Sequence, residues 1–337
     1  MKVSRKDVAK YAGVSEQTVS YVLNNSRKFS KDIVERVQKA IKDLNYQPDM
    51  IAKSMSQKQT KTVAFFVRNI ENPIFPAIIH GFQRKAFEKG YSVYIADTEG
   101  CRDVDFLITS LISRRIDGVY ISMFSDDDFV RVVNRFKENG IKVVIGNEDP
   151  RLCGVPSVTV DFYDGMRQIL KYLYDCGHEK IVYLSGIDTK QKNDSRYASF
   201  GEEYRRLFGR EPVVIENEEP FATTVESGKQ LAEKLFEQTD DFTAIITTND
   251  LMAYGVIDVV KQKNKNVPDD VSVIGIDDIM FSKYINPPLT TLGYNNEEFG
   301  AKTFKILMKS IAGENVESVK ENCYIVERST VKKIRLR

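Results

Sequence analysis

From Thr62 to the carboxyl end the sequence alternates short apolar runs with amphipathic stretches, and this alternation restricts the fold more than any other feature. The runs Val63–Val67, Tyr91–Ala96, Gly118–Ser122, Val143–Gly146, Ser157–Val160, Ile181–Ser185, Val213–Ile215, Ala244–Thr247, Ser272–Ile276 and Thr290–Gly293 read as strands. Segments such as Pro76–Lys89 and Asp164–Cys176 read as the helices between them. Such alternation builds parallel sheets covered by helices on both faces. About ten strands exceed one comfortable sheet, so two lobes of five or six strands each are expected.

The first sixty residues follow a different rule, a helical period with no strand-like run. Ser4 is placed to cap a first helix, with Asp7 completing a capping-box pair, and Val8, Ala9 and Ala12 form its buried stripe before Gly13 breaks the pattern. Ser15 caps a second helix with Val19, Val22 and Leu23 inward. Ser30 caps a third, with Ile33, Val34, Val37, Ala40, Ile41 and Leu44 on one face. The second helix starts only two residues after Gly13, the sharp turn of a helix-turn-helix. Its outward face is Glu16, Gln17, Thr18, Ser20, Tyr21 and Asn24, short polar groups suited to base edges and phosphates. The plainer alternative is a three-helix bundle with an idle polar face.

Charge follows the same division. Residues 1–60 carry 12 Lys and Arg against 6 Asp and Glu, and the rest of the chain carries 37 against 42. A basic head on a mildly acidic body favours a polyanionic partner at the head alone. Cys101, Cys153, Cys176 and Cys323 are far apart, and the chain has only two histidines, so reduced thiols and no metal site or cofactor are expected. No apolar run reaches the ~20 residues that span a bilayer. The opening Met1–Asp7 runs into charge without an apolar signal core, so a cytoplasmic location is the expectation. There is no Walker A loop, GxGxxG after a strand, HExxH or GxSxG, which argues against an enzyme.

The run from Asp7 to Asn24, DVAKYAGVSEQTVSYVLN, resembles the headpiece signature of the LacI/GalR family of transcription regulators, and Leu44-Asn45-Tyr46-Gln47-Pro48 is similar to the close of that family's third helix. The resemblance implies that Glu16 and Gln17 contact bases with Tyr21 beside them. It also implies that Ser4, Ser15, Thr18, Ser20, Asn24, Asn25 and Ser30 touch phosphates or position the reading helix. Glu16 would either accept from a cytosine amino group or repel a nearby phosphate. Residues 1–47 would form this headpiece and 48–60 a hinge helix and linker, in which Ala52 and Met55 meet the minor groove, Met55 as the apolar wedge. Asp49, Lys53 and Met55 depart there from the family's usual Asn, Arg and Leu. So short a helix would fold only against its dimer mate and DNA.

The likeness continues through the body, at Asn72-Pro73-Ile74-Phe75, Arg114-Arg115-Ile116-Asp117-Gly118, Gly177-His178-Glu179-Lys180-Ile181, Asn249-Asp250, Ser272–Asp278 and Pro288-Leu289-Thr290-Thr291. It implies an N-terminal all-α helix-turn-helix headpiece plus an α/β two-lobed, periplasmic-binding-protein-like domain with parallel sheets. One lobe would take about 61–161 and 292–322, the other about 162–291 and 323–337, with the chain crossing near Asp161, Thr291 and Asn322. Ligands of open α/β sheets bind beyond the carboxyl ends of the strands. Phe75, Asn147, Arg196, Asn249 and Asp277 each follow a strand or begin the next helix, and they offer a ring face and bidentate polar groups to a polyhydroxylated effector. The resemblance makes Arg196, Asn249 and Asp277 its polar anchors, with Ser199 where the family usually has Gly. Arg68 and Phe221 are further candidates. Read structurally, Asp277 is a helix cap, Arg196 a surface salt-bridge partner and Phe75 a core residue.

The partners expected are duplex DNA carrying a pseudo-palindromic operator, a small effector of carbohydrate type, and a second copy of the chain in a homodimer. Family members that bind a phosphorylated carrier protein have Arg where the helix Phe299–Leu307 has Lys; Lys lacks the bidentate fork for phosphate, which favours a small molecule. A sugar-capture protein for transport would need export and no basic head.

Overall fold

The computed structural model describes residues 3–24, 27–47, 59–99, 101, 103–122, 129–146, 151, 153–187, 194–217 and 222–334. Contacts divide the chain into two units, Met1–Lys61 and Thr62–Arg337.

In the first unit three helices, α1 (Arg5–Ala12), α2 (Glu16–Asn24) and α3 (Lys31–Asp43), surround a small core of Val8, Ala9, Ala12, Val19, Val37, Ala40 and Tyr46. The capping box forms. Ser4 Oγ accepts from the Asp7 amide, and the Asp7 carboxylate accepts from the Ser4 amide at 2.9 Å. Gly13 ends α1 in the left-handed region at φ +65°, where glycine carries no Cβ penalty. Ser15 Oγ accepts from the Thr18 amide at 3.0 Å and starts α2. Ser30 differs from expectation. It occupies the N-cap of α3, but its side chain makes no capping hydrogen bond, and only its carbonyl joins the helix by accepting from Val34. Asn45 at φ +47° and the Tyr46 amide on the Ile41 carbonyl close α3 and turn the Tyr46 ring into the core.

The second unit runs β1 (Thr62–Val67), α4 (Ile74–Glu88), β2 (Ser92–Asp97), α5 (Val104–Ser113), β3 (Gly118–Ser122), α6 (Phe129–Glu138), β4 (Lys142–Gly146) and β5 (Ser157–Val160). It continues with α7 (Phe162–Asp175), β6 (Ile181–Ser185), α8 (Ser195–Phe208), β7 (Val213–Glu216), α9 (Val225–Gln238), β8 (Ala244–Thr247) and α10 (Asp250–Gln262). The last elements are β9 (Ser272–Ile276), a 3-10 turn (Met280–Lys283), β10 (Thr290–Gly293), α11 (Asn296–Ile311), β11 (Val319–Glu321) and β12 (Tyr324–Val326).

Two six-stranded sheets result, ordered β11-β5-β4-β3-β1-β2 and β12-β10-β9-β8-β6-β7. Every pairing is parallel except β10 with β12, which runs antiparallel. Strands β3, β6, β8, β9 and β10 are buried along their whole length, as expected where helices cover both faces. The two short strands β11 and β12 were not foreseen.

The chain passes from one sheet to the other after β5, after β10 and after β11. The middle passage follows Gly293, since β10 stays paired through Leu292 to β9 and through Gly293 to β12. The passages are tied together. Asp161 caps α7 by accepting from Asp164, and its carbonyl accepts from the Cys323 thiol at 3.1 Å. Gln168 donates to the Cys323 carbonyl at 3.0 Å, and Lys302 pairs with Glu321 at 2.6 Å.

α4 and α11 pack closely enough to require glycine on both helices. A Cβ on Gly300 would lie 1.9 Å from the Ile78 carbonyl oxygen, and one on Gly81 would lie 1.9 Å from that of Glu297. Gly300→Ala is therefore expected to destabilise this unit by about 1–3 kcal/mol or more through forced separation of the helices. Urea unfolding checks this, and a change within about 0.5 kcal/mol, typical of surface sites, would contradict it.

Candidate functional site

Each unit carries one candidate surface. On the first, Glu16 and Gln17 are exposed at the start of α2, with Thr18, Ser20 and Tyr21 partly exposed behind them. The Gln17 side-chain amide donates to the Tyr21 hydroxyl at 2.9 Å, so the two residues named together from sequence do meet. Tyr21 in turn stacks on Phe29, with ring centroids 6.4 Å apart and planes at 26°, and Arg27 lies 5.9 Å over the Phe29 ring. The sequence reading did not anticipate this aromatic support from the segment preceding α3. Ser15 and Thr18 join their hydroxyls at 2.9 Å. Ser4 is committed to its capping box. Asn25, Ala52, Met55, Asp49 and Lys53 lie outside the described residues, as does the side chain of Asn24.

On the second unit, a cavity of about 400 Å³ opens beyond the carboxyl ends of both sheets. That size is ordinary for a small-molecule site. It brings together Phe75, Arg196, Asn249 and Asp277, and Arg68 also lines it. Asn147 and Phe221 lie outside the described residues. Phe162, Tyr294 and Phe299 join the wall, none of them foreseen.

The loop after β1 sets Phe75 in place. Asn69 accepts from the Glu71 amide at 2.7 Å, Asn72 accepts from the Ile74 amide at 3.2 Å, and Phe75 begins α4. Phe75 serves both readings, being 7% exposed within the core and part of the cavity wall.

Arg196, in the first turn of α8, is buried rather than on the surface. Its Nε donates to Asp194 Oδ1 at 3.0 Å, its Nη1 to the Thr248 carbonyl at 3.3 Å, and its guanidinium lies 5.2 Å over the Phe162 ring. Burial works against its charge, yet Asp194, Tyr183 and Asp277 together hold its pKa above the usual arginine value.

Asn249 caps α10. Its side-chain oxygen accepts from the Met252 amide at 3.0 Å and its amide donates to the Thr223 carbonyl at 2.9 Å, so helix capping already uses much of its bonding capacity.

Asp277 follows β9 at φ +117°, a conformation rare for an L residue, with its amide on the Leu292 carbonyl at 2.8 Å. It caps no helix. The next residue, Asp278, is also left-handed at φ +49° and is held by Arg328 at 2.6 Å. Burial, then the neighbouring Asp250 charge, push the Asp277 carboxyl well above the usual range, with Arg196 opposing them.

Asp250 is fully buried behind this wall. It accepts from the Ile279 amide at 2.9 Å and from the Ser282 and Thr291 hydroxyls at 2.5 Å each, joining the start of α10 to the segments after β9 and within β10. Burial pushes its carboxyl up to about 7 in spite of these donors. Asp194 and Asp250 each adjoin a residue singled out from sequence, but nothing in their sequence position signals burial.

Among the described residues no group of His, Cys, Asp and Glu is arranged to hold a metal ion, and no helix is long and apolar enough to cross a membrane.

Comparison with known proteins identifies both units. Residues 5–49 match the family described as bacterial regulatory proteins, lacI family, and residues 170–331 match the periplasmic binding protein-like domain. The chain is 33% identical over 338 residues to the HTH-type transcriptional repressor PurR of Mannheimia succiniciproducens, covering 98% of each chain. It is 32% identical over 333 residues to PurR of Photobacterium profundum, covering 97% of this chain and 98% of that one. Among solved structures it is similar to the lac repressor dimer bound to operator and the anti-inducer ONPF, with TM-score 0.85, 25% identity, and 98% and 100% of the two chains covered. A complex of the transcriptional regulator CelR with cellobiose aligns with TM-score 0.71 and 26% identity over 98% of this chain and all of that one.

The buried carboxyl makes a prediction about pH. A carboxyl raised from an unfolded value of 3.8 to about 7 favours the fold fully below the lower value, and that contribution is lost as pH rises through the upper one. Asp250→Asn removes the titration. The unfolding free energy of wild type minus that of the variant should therefore fall between roughly pH 5 and 7, by up to about 1.4 kcal/mol per pH unit. A difference that does not change with pH would contradict the assignment.

Proposed function

The chain belongs to the lacI family of bacterial regulatory proteins, as a DNA-binding transcriptional repressor regulated by a small effector rather than an enzyme, and from this premise we propose how its residues divide that work. The α2 face reads operator bases through Glu16 and Gln17, with Tyr21 holding the Gln17 amide in place. Ser15, Thr18, Ser20, Asn24, Asn25 and Ser30 meet phosphates or set the helix, and Ser4 orients α1. The free Ser30 hydroxyl suits this role, since no capping bond engages it. Residues 48–60 form the hinge, with Ala52 and Met55 in the minor groove.

The effector, a sugar or sugar derivative, occupies the cavity of the second unit, with Phe75 and Phe162 as ring faces and Arg196, Asn249, Asp277 and Asn147 as polar anchors. The observation that carries this reading is the convergence of Arg196 and Asp277, both buried and both on the wall of one cavity beyond two sheets. The cellobiose in the CelR complex supports a carbohydrate.

The working form is a cytoplasmic homodimer on a pseudo-palindromic operator. Exposed apolar side chains support a second copy: Tyr94 and Ile95 on the edge strand β2, and Met280, Phe281 and Tyr284 after β9. Lobe closure on the effector alters the separation of the two hinge segments; if they part, their helices melt and the operator is released. Induction is the reading taken, and co-repression is the opposite sign of the same device.

Two substitutions and one screen test this division. Gln17→Ala should reduce discrimination among operator variants by about 1–3 kcal/mol while leaving nonspecific DNA affinity in place, and unchanged discrimination would remove Gln17 from the reading set. A thermal-shift screen of sugars, sugar acids and sugar phosphates should find a compound that raises the melting temperature. Arg196→Ala should weaken that compound roughly 10- to 100-fold with operator binding intact. A normal response in that variant would overturn the cavity assignment.

A further inference from the structure

The cavity wall holds a buried carboxylate without a donor. Asp277 is 6% exposed and lines the cavity, and among the described residues no donor reaches its carboxylate. Asp194 Oδ2 and Asn296 Oδ1 are likewise buried without a partner; Asn296 uses its amide on the Asp277 carbonyl at 3.3 Å. These three are acceptors, of which Asp277 lines the cavity; the buried hydroxyls of Tyr120 and Ser310 also lack a partner among the described residues. Arg196 does not balance these acceptors, because it is engaged with Asp194 at 3.0 Å.

The entrance repeats the pattern. Glu71, Glu99 and Glu226 are exposed on the cavity lining, so its described residues carry four acids against two arginines. A cleft lined mostly by one sign of charge between low-dielectric walls concentrates ions of the opposite sign and repels its own.

We infer that this cleft rejects anions: its effector carries hydroxyl or amino donors toward Asp277 and bears no phosphate or carboxylate. The inference rests on the cavity being the effector site and narrows the chemical class that it takes. A donor-rich neutral or cationic ligand satisfies the buried Asp277 carboxylate. A phosphate or carboxylate would bring further acceptors toward the unpartnered Asp277 carboxylate, past three exposed carboxylates.

The field can be measured without knowing the effector. Thr223 lines the cavity and is partly exposed, and Thr223→Cys in the full-length chain places a thiol there with little change in volume. Its modification rates with a cationic trimethylammonium-ethyl and an anionic sulfonatoethyl methanethiosulfonate are compared, each scaled to its rate with free 2-mercaptoethanol. The unsubstituted chain supplies the background from Cys101, which is partly exposed.

The cationic reagent should react roughly 10-fold faster or more after scaling. That ratio should shrink toward unity with added salt and in a Glu99→Gln, Glu226→Gln double variant. A ratio at or below unity overturns the inference. So does a sugar phosphate or sugar acid that stabilises the chain more than its uncharged parent sugar, and that result leaves the cavity as the effector site. A ligand whose melting shift is unchanged by Arg196→Ala would instead sink the site assignment while the reagent ratio stood.

Discussion

Three passages of the chain between two parallel sheets determine everything else in the larger unit. Parallel strands end on one side of their sheet, and returning the chain after β5, β10 and β11 brings the carboxyl ends of both sets to one cavity. Phe75, Arg196, Asn249 and Asp277 come from four different strand–helix junctions, far apart in sequence, and only that topology makes them neighbours. The ties among Asp161, Gln168, Cys323, Lys302 and Glu321 lie on the passages themselves, where any relative movement of the sheets must be absorbed.

The cavity also holds the least relaxed part of the fold. Asp277 and Asp278 both have positive φ, and the Asp250 charge adds to burial in raising the pKa of the Asp277 carboxyl. Such strain persists only where surrounding contacts hold it, here the Leu292 carbonyl, Arg328 and the donors to Asp250. A site that stores unfavourable charge and backbone energy when empty gains more when a matching ligand fills it. In a regulator this gain is what distinguishes the liganded arrangement from the free one.

Much of this was legible because apolar runs in buried parallel strands are nearly continuous, and all ten strands read from sequence are present. β11 and β12 were not read. Each has three residues with little apolar pattern, and each exists because β5 or β10 offers a free edge. Helix starts shifted for local reasons. α4 begins at Ile74, two residues ahead of Pro76, because a proline in the first turn forfeits no helical hydrogen bond. α7 begins at Phe162 because Asp161, not a later residue, supplies the cap. Arg196, Asn249 and Asp277 were legible through family likeness and their places after strands. Phe162, Tyr294, Asp194 and Asp250 were not, since burial, and for Asp250 partnership across 29 to 41 residues, leave no periodic trace. In the smaller unit helix boundaries and caps were legible, apart from Ser30, while the Tyr21–Phe29 stack depended on a turn that sequence period does not describe.

The central claim is that operator grip and cleft occupancy are two ends of one free-energy coupling, which linkage makes reciprocal. The direct measurement is calorimetric titration of the full-length protein with the effector found by screening, without DNA and again with saturating operator. The account predicts that operator changes the effector Kd by the same factor by which effector changes the operator Kd, with a value well away from one. An effector Kd identical in the two titrations would contradict it.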